Sequence, residues 1–184
     1  MKRILVIKLG ALGDFVLAQG PFAAIRKHHP SAHITLLTTP PFEALAQASG
    51  YFNEVWPFGR PKRGDIAGLV QLIAALRGGG FEFVYDLQTS TRSSFYYWLM
   101  LGRKPRWSGV ARGCSHPHNN PDRDHLHTID RQAEQLAIAG ITSVPAADLS
   151  WASADISRFN LPQHYALLVP GGSAHRPQKR WPAS

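Results

Sequence analysis

The first apolar segment of the chain most constrains its fold. Ile4-Leu5-Val6-Ile7 lies between Arg3 and Lys8, and a glycine-containing turn, Gly10 to Asp14, follows it directly. A helical pattern begins at Phe15. A continuous apolar run of this length is typical of a parallel strand that is covered on both faces. The sequence therefore predicts that the chain opens with a strand, a turn and a helix of an α/β sheet.

The same alternation continues along the chain. We expect further strands at 33–38, 54–56, 83–87 and 107–110. We expect helices at 15–25, 42–48, 65–76 and 93–101. Gly20-Pro21 should kink or split the first helix, and Asp65 should cap the third. Short connections between alternating elements predict a Rossmann-like, mostly parallel sheet with helices on both faces.

Three segments are expected along the chain. Residues 1–145 form the Rossmann-like domain, which includes a loop at 111–124 and a helix from about Thr128 to Gly140. The apolar stripe of that helix is expected at Ile129, Ala133, Leu136 and Ala137. Residues 146–163 have the irregular composition of a linker. Residues 164–184 hold an apolar run, a glycine-rich turn and a basic loop, which predict the first strand and phosphate loop of a second domain.

Composition limits the class of protein. Hydrophobic residues make up 44% of 184, which is enough for a core and argues against disorder. The single cysteine, Cys114, cannot form an internal disulfide, which favours a reducing cytoplasm. The apolar run after Arg3 is too short for a signal peptide, and no stretch approaches the roughly 20 apolar residues that span a bilayer. A membrane contact would therefore be peripheral.

The formal net charge of +8 favours anionic partners. This preference fits nucleic acid, a phospholipid surface or an acidic small substrate. An equal alternative is that the positive charge only keeps the surface solvated. Only charge points to nucleic acid, so we expect no nucleic-acid partner.

The turn from Gly10 to Asp14 should lie at the carboxyl edge of the sheet, where such folds bind ligands. It is neither a P-loop nor a complete G-x-G-x-x-G motif. The second strand ends in Thr38-Thr39-Pro40 without the acidic residue of a dinucleotide site, which disfavours a nicotinamide enzyme. Asp14 has two interpretations that can hold together, a helix N-cap and a carboxylate base in the cleft.

These residues resemble the opening of glycosyltransferase family 9, which contains the ADP-heptose:lipopolysaccharide heptosyltransferases. The resemblance covers Arg3-Ile4-Leu5-Val6-Ile7-Lys8-Leu9-Gly10-Ala11-Leu12-Gly13-Asp14-Phe15-Val16-Leu17, with Pro21, Ile25-Arg26, Pro30 and Ile34 after it. The small-x-x-Gly-Asp turn of that family carries the aspartate regarded as the catalytic base. The resemblance therefore implies this role for Asp14 and places Gly13 at the acceptor.

Later segments resemble the same family. Residues 85–94 resemble its Asp-x-Gln turn beside the acceptor sugar, which implies that Gln88 binds the acceptor, and residues 127–131 resemble the start of a later helix. Val169-Pro170-Gly171-Gly172-Ser173 and Lys179-Arg180-Trp181-Pro182 resemble its Pro-Gly-x-Ser and Lys-Arg-Trp-Pro pattern. The implied donor-binding residues, which hold the pyrophosphate, are Gly171, Gly172, Ser173, Lys179 and Arg180.

Four basic residues are candidates for the acceptor site. Arg60, Lys62 and Arg63 lie on a loop after one strand, and Arg92 follows another. If they face one cleft, their guanidinium and ammonium groups suit an acceptor with carboxylates and phosphates. A solvated surface position is the alternative for each of them.

Two clusters suggest other chemistry. Cys114, His116 and His118, with acids and histidines at 122–127, are metal-ligand types, but their spacing matches no zinc pattern, so we expect a polar loop and no metal. Phe95-Tyr96-Tyr97-Trp98 offers a stacking platform for bases, although a helix that packs these aromatics into the sheet is the expected arrangement.

The resemblance implies the N-terminal domain of a GT-B glycosyltransferase that moves a heptose from ADP-heptose to the lipopolysaccharide inner core or a lipid A precursor, with inversion. The nucleotide sugar is a substrate, and no cofactor is expected. The implied location is the cytoplasm, with peripheral contact at the anionic inner face of the inner membrane. The alternative, from a different class, is an inactive remnant that binds an acidic glycan or lipid.

Overall fold

The computed structural model describes residues 1–102, 104–169 and 180–181. The chain divides into two units, Met1–Ala152 and Ser153–Ser184. All strands found in the described residues belong to the first unit.

The first unit contains one parallel sheet of six strands. The strands are β1 (Arg3–Ile7), β2 (His33–Leu37), β3 (Glu54–Trp56), β4 (Phe83–Asp86), β5 (Arg106–Gly109) and β6 (His116–Pro117). Their order is β3-β2-β1-β4-β5-β6. Each pair of neighbours is parallel, which confirms the predicted fold class. Only β6, within the predicted loop, was not expected.

Six α-helices connect or flank these strands. They are α1 (Leu12–Leu17), α2 (Gln19–His28), α3 (Glu43–Ala48), α4 (Ile66–Gly78), α5 (Thr91–Leu99) and α6 (Thr128–Ile138). The first predicted helix is split at Ala18, just before the expected Gly20-Pro21. Asp65 caps α4 as predicted, because its Oδ1 accepts a 2.8 Å hydrogen bond from the N–H of Gly68.

The core lies on both faces of the sheet. Successive side chains of a strand point to opposite faces, so Ile4 and Val6 pack on one face and Leu5 and Ile7 on the other. The first face is covered by side chains of α1, α2, α3 and α6, and the second by side chains of α4 and α5. The predicted helices on both faces are confirmed.

The buried face of α6 differs from the predicted stripe. Leu136 is buried, but Ile129 and Ala137 are exposed, and Gln132 and Gln135 take the interior positions. Nε2 of Gln135 donates to the backbone oxygens of Asp86 at 3.0 Å and Ser108 at 3.2 Å. A buried amide is stable where it satisfies buried carbonyls, so a polar side chain lies where hydrophobic periodicity predicts an apolar one.

The second unit contains one 3₁₀ turn, Ser157–Phe159, among its described residues. The strand predicted at 165–169 is not formed, and these residues are exposed. A parallel strand requires a neighbouring strand for its hydrogen bonds, and the described part of this unit contains no other strand. Across the described residues, every helix is too short or too polar to traverse a bilayer.

Candidate functional site

The candidate site lies where β1 and β4 end side by side. Chain order reverses at this pair, because β1 is flanked by β2 on one side and by β4 on the other. Ile7 is level with Leu37 and with Asp86. In open α/β sheets, ligands bind beyond the carboxyl ends of the strands at such a reversal. The turns that follow β1 and β4 therefore define the cleft.

The turn after β1 is held from several sides. The N–H of Leu9 donates to Oε1 of Gln88 at 2.8 Å, and Oγ1 of Thr39 donates to the Leu9 oxygen at 3.2 Å. Gly10 has a φ of +124°, and a Cβ there would lie 2.8 Å from the ring of Phe42. Only glycine suits this backbone conformation and this contact. The turn is therefore fixed before any ligand arrives.

Asp14 lies in the first turn of α1. The helix begins at Leu12, with Ala11 at the capping position, so Asp14 is its third residue rather than its N-cap. The N-cap interpretation is wrong because the helix starts earlier than expected. The carboxylate is exposed and forms no hydrogen bond or ion pair with another described residue. It is available to a ligand, and a negative charge is favourable in a first helical turn.

Lys8 is a buried cation beneath this turn. Its Nζ donates to the backbone oxygen of Leu87 at 3.2 Å, which joins the ends of β1 and β4. Burial lowers the pKa of the Lys8 ammonium, and the charge of Asp14 opposes this shift more strongly than that of Asp86 does. The charges of Lys8 and Asp14 are therefore coupled. Lys8 is not among the predicted site residues, although a lysine directly after a fully apolar strand is a signal that indicates it.

Asp86 supports the turn after β4. Its carboxyl is fully buried, and Oδ1 accepts hydrogen bonds from the N–H groups of Gln88 at 3.1 Å and Thr89 at 3.0 Å. Burial raises the pKa of Asp86 to about 7, although these two bonds and one from Ser93 act in the opposite direction. Because the group has no contact with solvent, it holds the turn rather than a ligand.

Gln88, a predicted acceptor-binding residue, is half-buried at the cleft. Its side-chain oxygen is occupied by Leu9, and its Nε2 group donates to no other described residue. The amide N–H groups are therefore free to donate to a hydroxyl or carboxylate of a ligand. Gly13 lies beside Asp14 on the exposed side of α1.

A basic groove opens between the β3–α4 loop, α4 and α5. Its volume is about 360 Å³, and the structure brings Lys62, Arg63 and Arg92 together in its lining. Arg60 lines a second cavity of about 320 Å³, which shares Lys62 with the groove. All four cations are exposed, and none has an ion-pair partner among the described residues. Within the described part of the chain, Asp65 in the wall is the acidic residue that lines this groove.

Tyr96 joins α5 to the loop that carries three of these cations. Its hydroxyl donates to the backbone oxygen of Gly59 at 2.6 Å, which ties α5 to the β3–α4 loop. Burial raises the pKa of Tyr96, while the charges of Arg92 and Arg60 and a hydrogen bond with Arg92 lower it. Both guanidinium groups are therefore close to one tyrosine.

The predicted donor residues Gly171, Gly172, Ser173 and Lys179 lie outside the described residues. Arg180 is described and is exposed. Their role in holding a pyrophosphate remains a prediction.

The cluster around Cys114 contains a buried thiol, and burial raises its pKa. Among the described residues, no group of three or more side chains could hold a metal. In α5, Tyr96 and Tyr97 pack into the core as expected, but Phe95 and Trp98 are exposed. The prediction of a fully packed aromatic helix is therefore wrong for half of the cluster.

Comparisons with known proteins identify the fold. No protein-family model and no curated protein sequence matches the chain. A glycosyl transferase of family 9 from Veillonella parvula matches 99% of this chain and 56% of its own, with a TM-score of 0.75 and 24% identity. E. coli ADP-heptose LPS heptosyltransferase II matches 99% of this chain and 58% of its own, with a TM-score of 0.66 and 19% identity.

A third solved structure, E. coli heptosyltransferase WaaC with ADP-2-deoxy-2-fluoro heptose, matches 88% of this chain with a TM-score of 0.59 and 17% identity. It is matched over 55% of its own length. The chain therefore spans little more than half the length of these solved structures. At these identities the likeness establishes the fold, an α/β fold shared with glycosyltransferases.

Proposed function

We propose that the chain is the acceptor-binding part of a family 9 glycosyltransferase. One observation carries the proposal: an exposed carboxylate, Asp14, which has no partner among the described residues, lies in the first helical turn after β1, at the point where strand order reverses. The fold likeness to three transferases supports it, as does the resemblance of the Gly13-Asp14 turn to the family's Gly-Asp turn. Ligands of α/β sheets collect at this place.

In the proposed reaction, a heptose passes from ADP-heptose to a hydroxyl of the lipopolysaccharide inner core or a lipid A precursor. Asp14 takes the proton of the acceptor hydroxyl as its oxygen bonds to C1 of the sugar. The bond from C1 to the diphosphate oxygen breaks, and ADP leaves with the electron pair. Attack from the face opposite the leaving group inverts C1. No metal or cofactor is needed, because fixed cations stabilise the diphosphate.

In this proposal, one set of residues binds the acceptor and another set binds the donor. Gln88, with its oxygen held by Leu9, points its free N–H groups at the acceptor, and Gly13 leaves space beside Asp14. Lys62, Arg63 and Arg92, with Arg60 nearby, bind acidic groups of the acceptor. Donor binding is assigned to the later segment that contains Gly171, Gly172, Ser173, Lys179 and Arg180, on the sequence resemblance alone.

The catalytic assignment is tested with Asp14→Asn. The assay supplies ADP-heptose and a heptose-free core acceptor and measures ADP release and the mass of the product. It is run on the chain joined to the part of E. coli ADP-heptose LPS heptosyltransferase II that this chain does not match, and on the chain alone. Asp14→Asn should lower turnover by about 10²-fold or more, with unchanged donor affinity. Normal turnover in this variant would rule out Asp14 as the base.

A second candidate function is binding of an acidic glycan or lipid without transfer. The basic groove supports it, because the groove is formed entirely by described residues of the first unit. Titration of the chain with ADP and with a phosphorylated core acceptor separates the two functions. Acceptor binding with no ADP binding and no turnover supports the second candidate.

A lipid-linked acceptor also implies where the protein works. We propose that it acts in the cytoplasm, in peripheral contact with the anionic inner face of the inner membrane. The exposed cations of the groove support this contact. Fractionation of cells that express the chain, followed by a high-salt wash of the membranes, tests it.

A further inference from the structure

Helix α4 is almost entirely apolar, but few of its side chains are buried. Its thirteen residues contain two polar side chains, Gln71 and Arg77, yet only Leu72 and Leu76 are buried. Ile66 is 75% exposed and Val70 is 59% exposed. A helix that is apolar on all sides is normally buried or in contact with lipid. The described residues leave most of the apolar surface of α4 uncovered.

The apolar surface continues onto α5. Phe95 is 54% exposed and Trp98 is 50% exposed, three residues apart on one side of the helix. Phe95 lines the same groove as Ile66 and Leu69, so the two helices contribute to one face. We call this face the α4–α5 surface and define it by its exposed side chains Ile66, Leu69, Val70, Phe95, Trp98 and Leu101.

Cations surround this surface. At one end, the groove brings Lys62, Arg63 and Arg92 beside the apolar side chains. At the other, Arg77 donates through Nε to the backbone oxygen of Leu99 at 2.9 Å. The Lys104 ammonium lies 3.9 Å from the ring centroid of Trp98.

The acidic counterpart of these cations is Asp65, which caps α4. Neither α4 nor α5 contains an acidic residue. The α4–α5 surface thus combines an apolar centre with a positive rim. This charge favours an anionic partner and opposes a basic one.

We propose that the α4–α5 surface docks on an anionic lipid bilayer, with α4 lying in the headgroup region. Apolar side chains of an interfacial helix enter the boundary of the acyl chains, while lysine and arginine meet the lipid phosphates. Trp98 beside Lys104 suits the headgroup level, where aromatic rings and cations are favoured. The proposal assigns a location to the membrane contact proposed above and rests on it.

The basic groove and the α4–α5 surface share a border, which is formed by Lys62, Arg63 and Arg92. Docking through this surface would present the groove to the headgroups of the same bilayer. An acidic headgroup that leaves the membrane plane would enter the groove first.

The test measures flotation of the 184-residue chain with vesicles, in the absence of any sugar donor. We expect binding to vesicles of phosphatidylglycerol and phosphatidylcholine in equal parts, with weaker binding to phosphatidylcholine alone. Ile66→Ser with Val70→Ser should lower the partition coefficient by about tenfold or more, because buried apolar side chains drive insertion. The matched control is Ile129→Ser with Ile138→Ser, two exposed isoleucines of α6, which should bind as the unmodified chain does.

A second measurement uses brominated phospholipids, which quench nearby tryptophan fluorescence. We expect quenching that is lost in Trp98→Phe, while the other four tryptophans give the remaining emission. Equal loss of flotation in the control, or unchanged flotation in the α4 variant, would overturn the proposal. The proposal would also be overturned if the chain did not bind vesicles and instead formed a dimer in sedimentation velocity that dissociated in the α4 variant. Because no transfer is measured, failure here is distinct from failure of the proposed catalysis.

Discussion

The N–H of Leu9 donates a 2.8 Å hydrogen bond to the side-chain oxygen of Gln88. Leu9 is the second residue after β1, and Gln88 is the second residue after β4. The bond therefore joins the two turns across the point where strand order reverses. It also orients Gln88, because the amide whose oxygen accepts from Leu9 must direct its N–H groups elsewhere. One side chain thus both fixes the cleft and remains able to bind a ligand.

The variant Gln88→Leu tests this relationship. It keeps most of the side-chain volume but leaves the buried N–H of Leu9 without a partner, which should cost about 1 to 3 kcal/mol in free energy of unfolding. Hydrogen exchange of the Leu9 amide should become faster. Gln88→Glu retains an acceptor oxygen and is the control, with exchange close to that of the unmodified chain. Unchanged exchange in Gln88→Leu would contradict the structural role.

Asp86 predicts an unusual dependence of stability on pH. Its folded pKa of about 7 lies above the ordinary value of 3.8, so the folded state holds a proton that the unfolded state releases. Stability from this group is present below about pH 4 and is lost as pH rises towards 7. The loss should be about 4 kcal/mol, since one pKa unit corresponds to about 1.4 kcal/mol.

Asp86→Asn removes the titration but keeps the Oδ1 acceptor for the two N–H groups of the turn. Urea unfolding at several pH values should therefore show a flatter profile in this range than the unmodified chain. Asp86→Ala, which removes the acceptor as well, should be less stable than Asp86→Asn at every pH by about 1 to 3 kcal/mol. A profile with the same slope in Asp86→Asn would show that another group titrates.

The sheet was predictable because its strands carry a strong local signal. β1 and β4 are short apolar runs between polar residues, and the connections between elements are short. β6 was missed because His116–Pro117 has two residues and no apolar pattern. The opposite error occurs at 165–169, where an apolar run predicts a strand that is not formed. An apolar run becomes a strand only where another strand can pair with it.

The position of the candidate site in the fold was predictable from the sequence, but the contacts between its side chains were not. Parallel topology brings Asp14 and Gln88 to one edge of the sheet, and periodicity is sufficient to show this. The cap was misassigned because α1 begins at Ala11-Leu12, which has no capping side chain. Buried Lys8 and Gln135 make hydrogen bonds to residues far away in the chain. A local pattern does not specify such partners.

The proposed binding of an acidic acceptor in the basic groove leads to a further prediction. Replacing Lys62, Arg63 and Arg92 together with glutamine should weaken binding of a soluble phosphorylated glucosamine disaccharide by tenfold or more, since a charge-assisted hydrogen bond contributes about 1.5 to 3 kcal/mol. The dependence of affinity on salt should also become weaker. Calorimetric titration measures both.

The matched control replaces three exposed cations outside the groove, Lys2→Gln, Lys27→Gln and Arg112→Gln. These changes lower the net charge but should leave the affinity within about twofold, because distant exposed charges are screened. A similar loss in the control and in the groove variant would show that the disaccharide responds to net charge rather than to the groove.

His29 predicts acid sensitivity at the opposite end of the sheet. Its Nε2 lies 2.8 Å from the hydroxyl of Tyr85, and burial, aided by nearby cations, lowers the pKa of His29 from 6.5 to about 4. The folded state therefore holds a neutral imidazole, whereas the unfolded state binds a proton below about pH 6.5. Stability from this group is present above that pH and is lost as pH falls towards 4. This sign is opposite to that of Asp86 in the same range.

His29→Gln keeps a polar partner for Tyr85 and removes the titration. The difference between the free energies of unfolding at about pH 7 and about pH 4.5 should shift in favour of the acidic condition, compared with the unmodified chain. His125→Gln replaces an exposed histidine in a loop and is the control for the loss of an imidazole. The contribution of Asp86 is common to all three proteins and cancels in the comparison. If His29→Gln and His125→Gln behave alike, the buried imidazole is not the source of acid sensitivity.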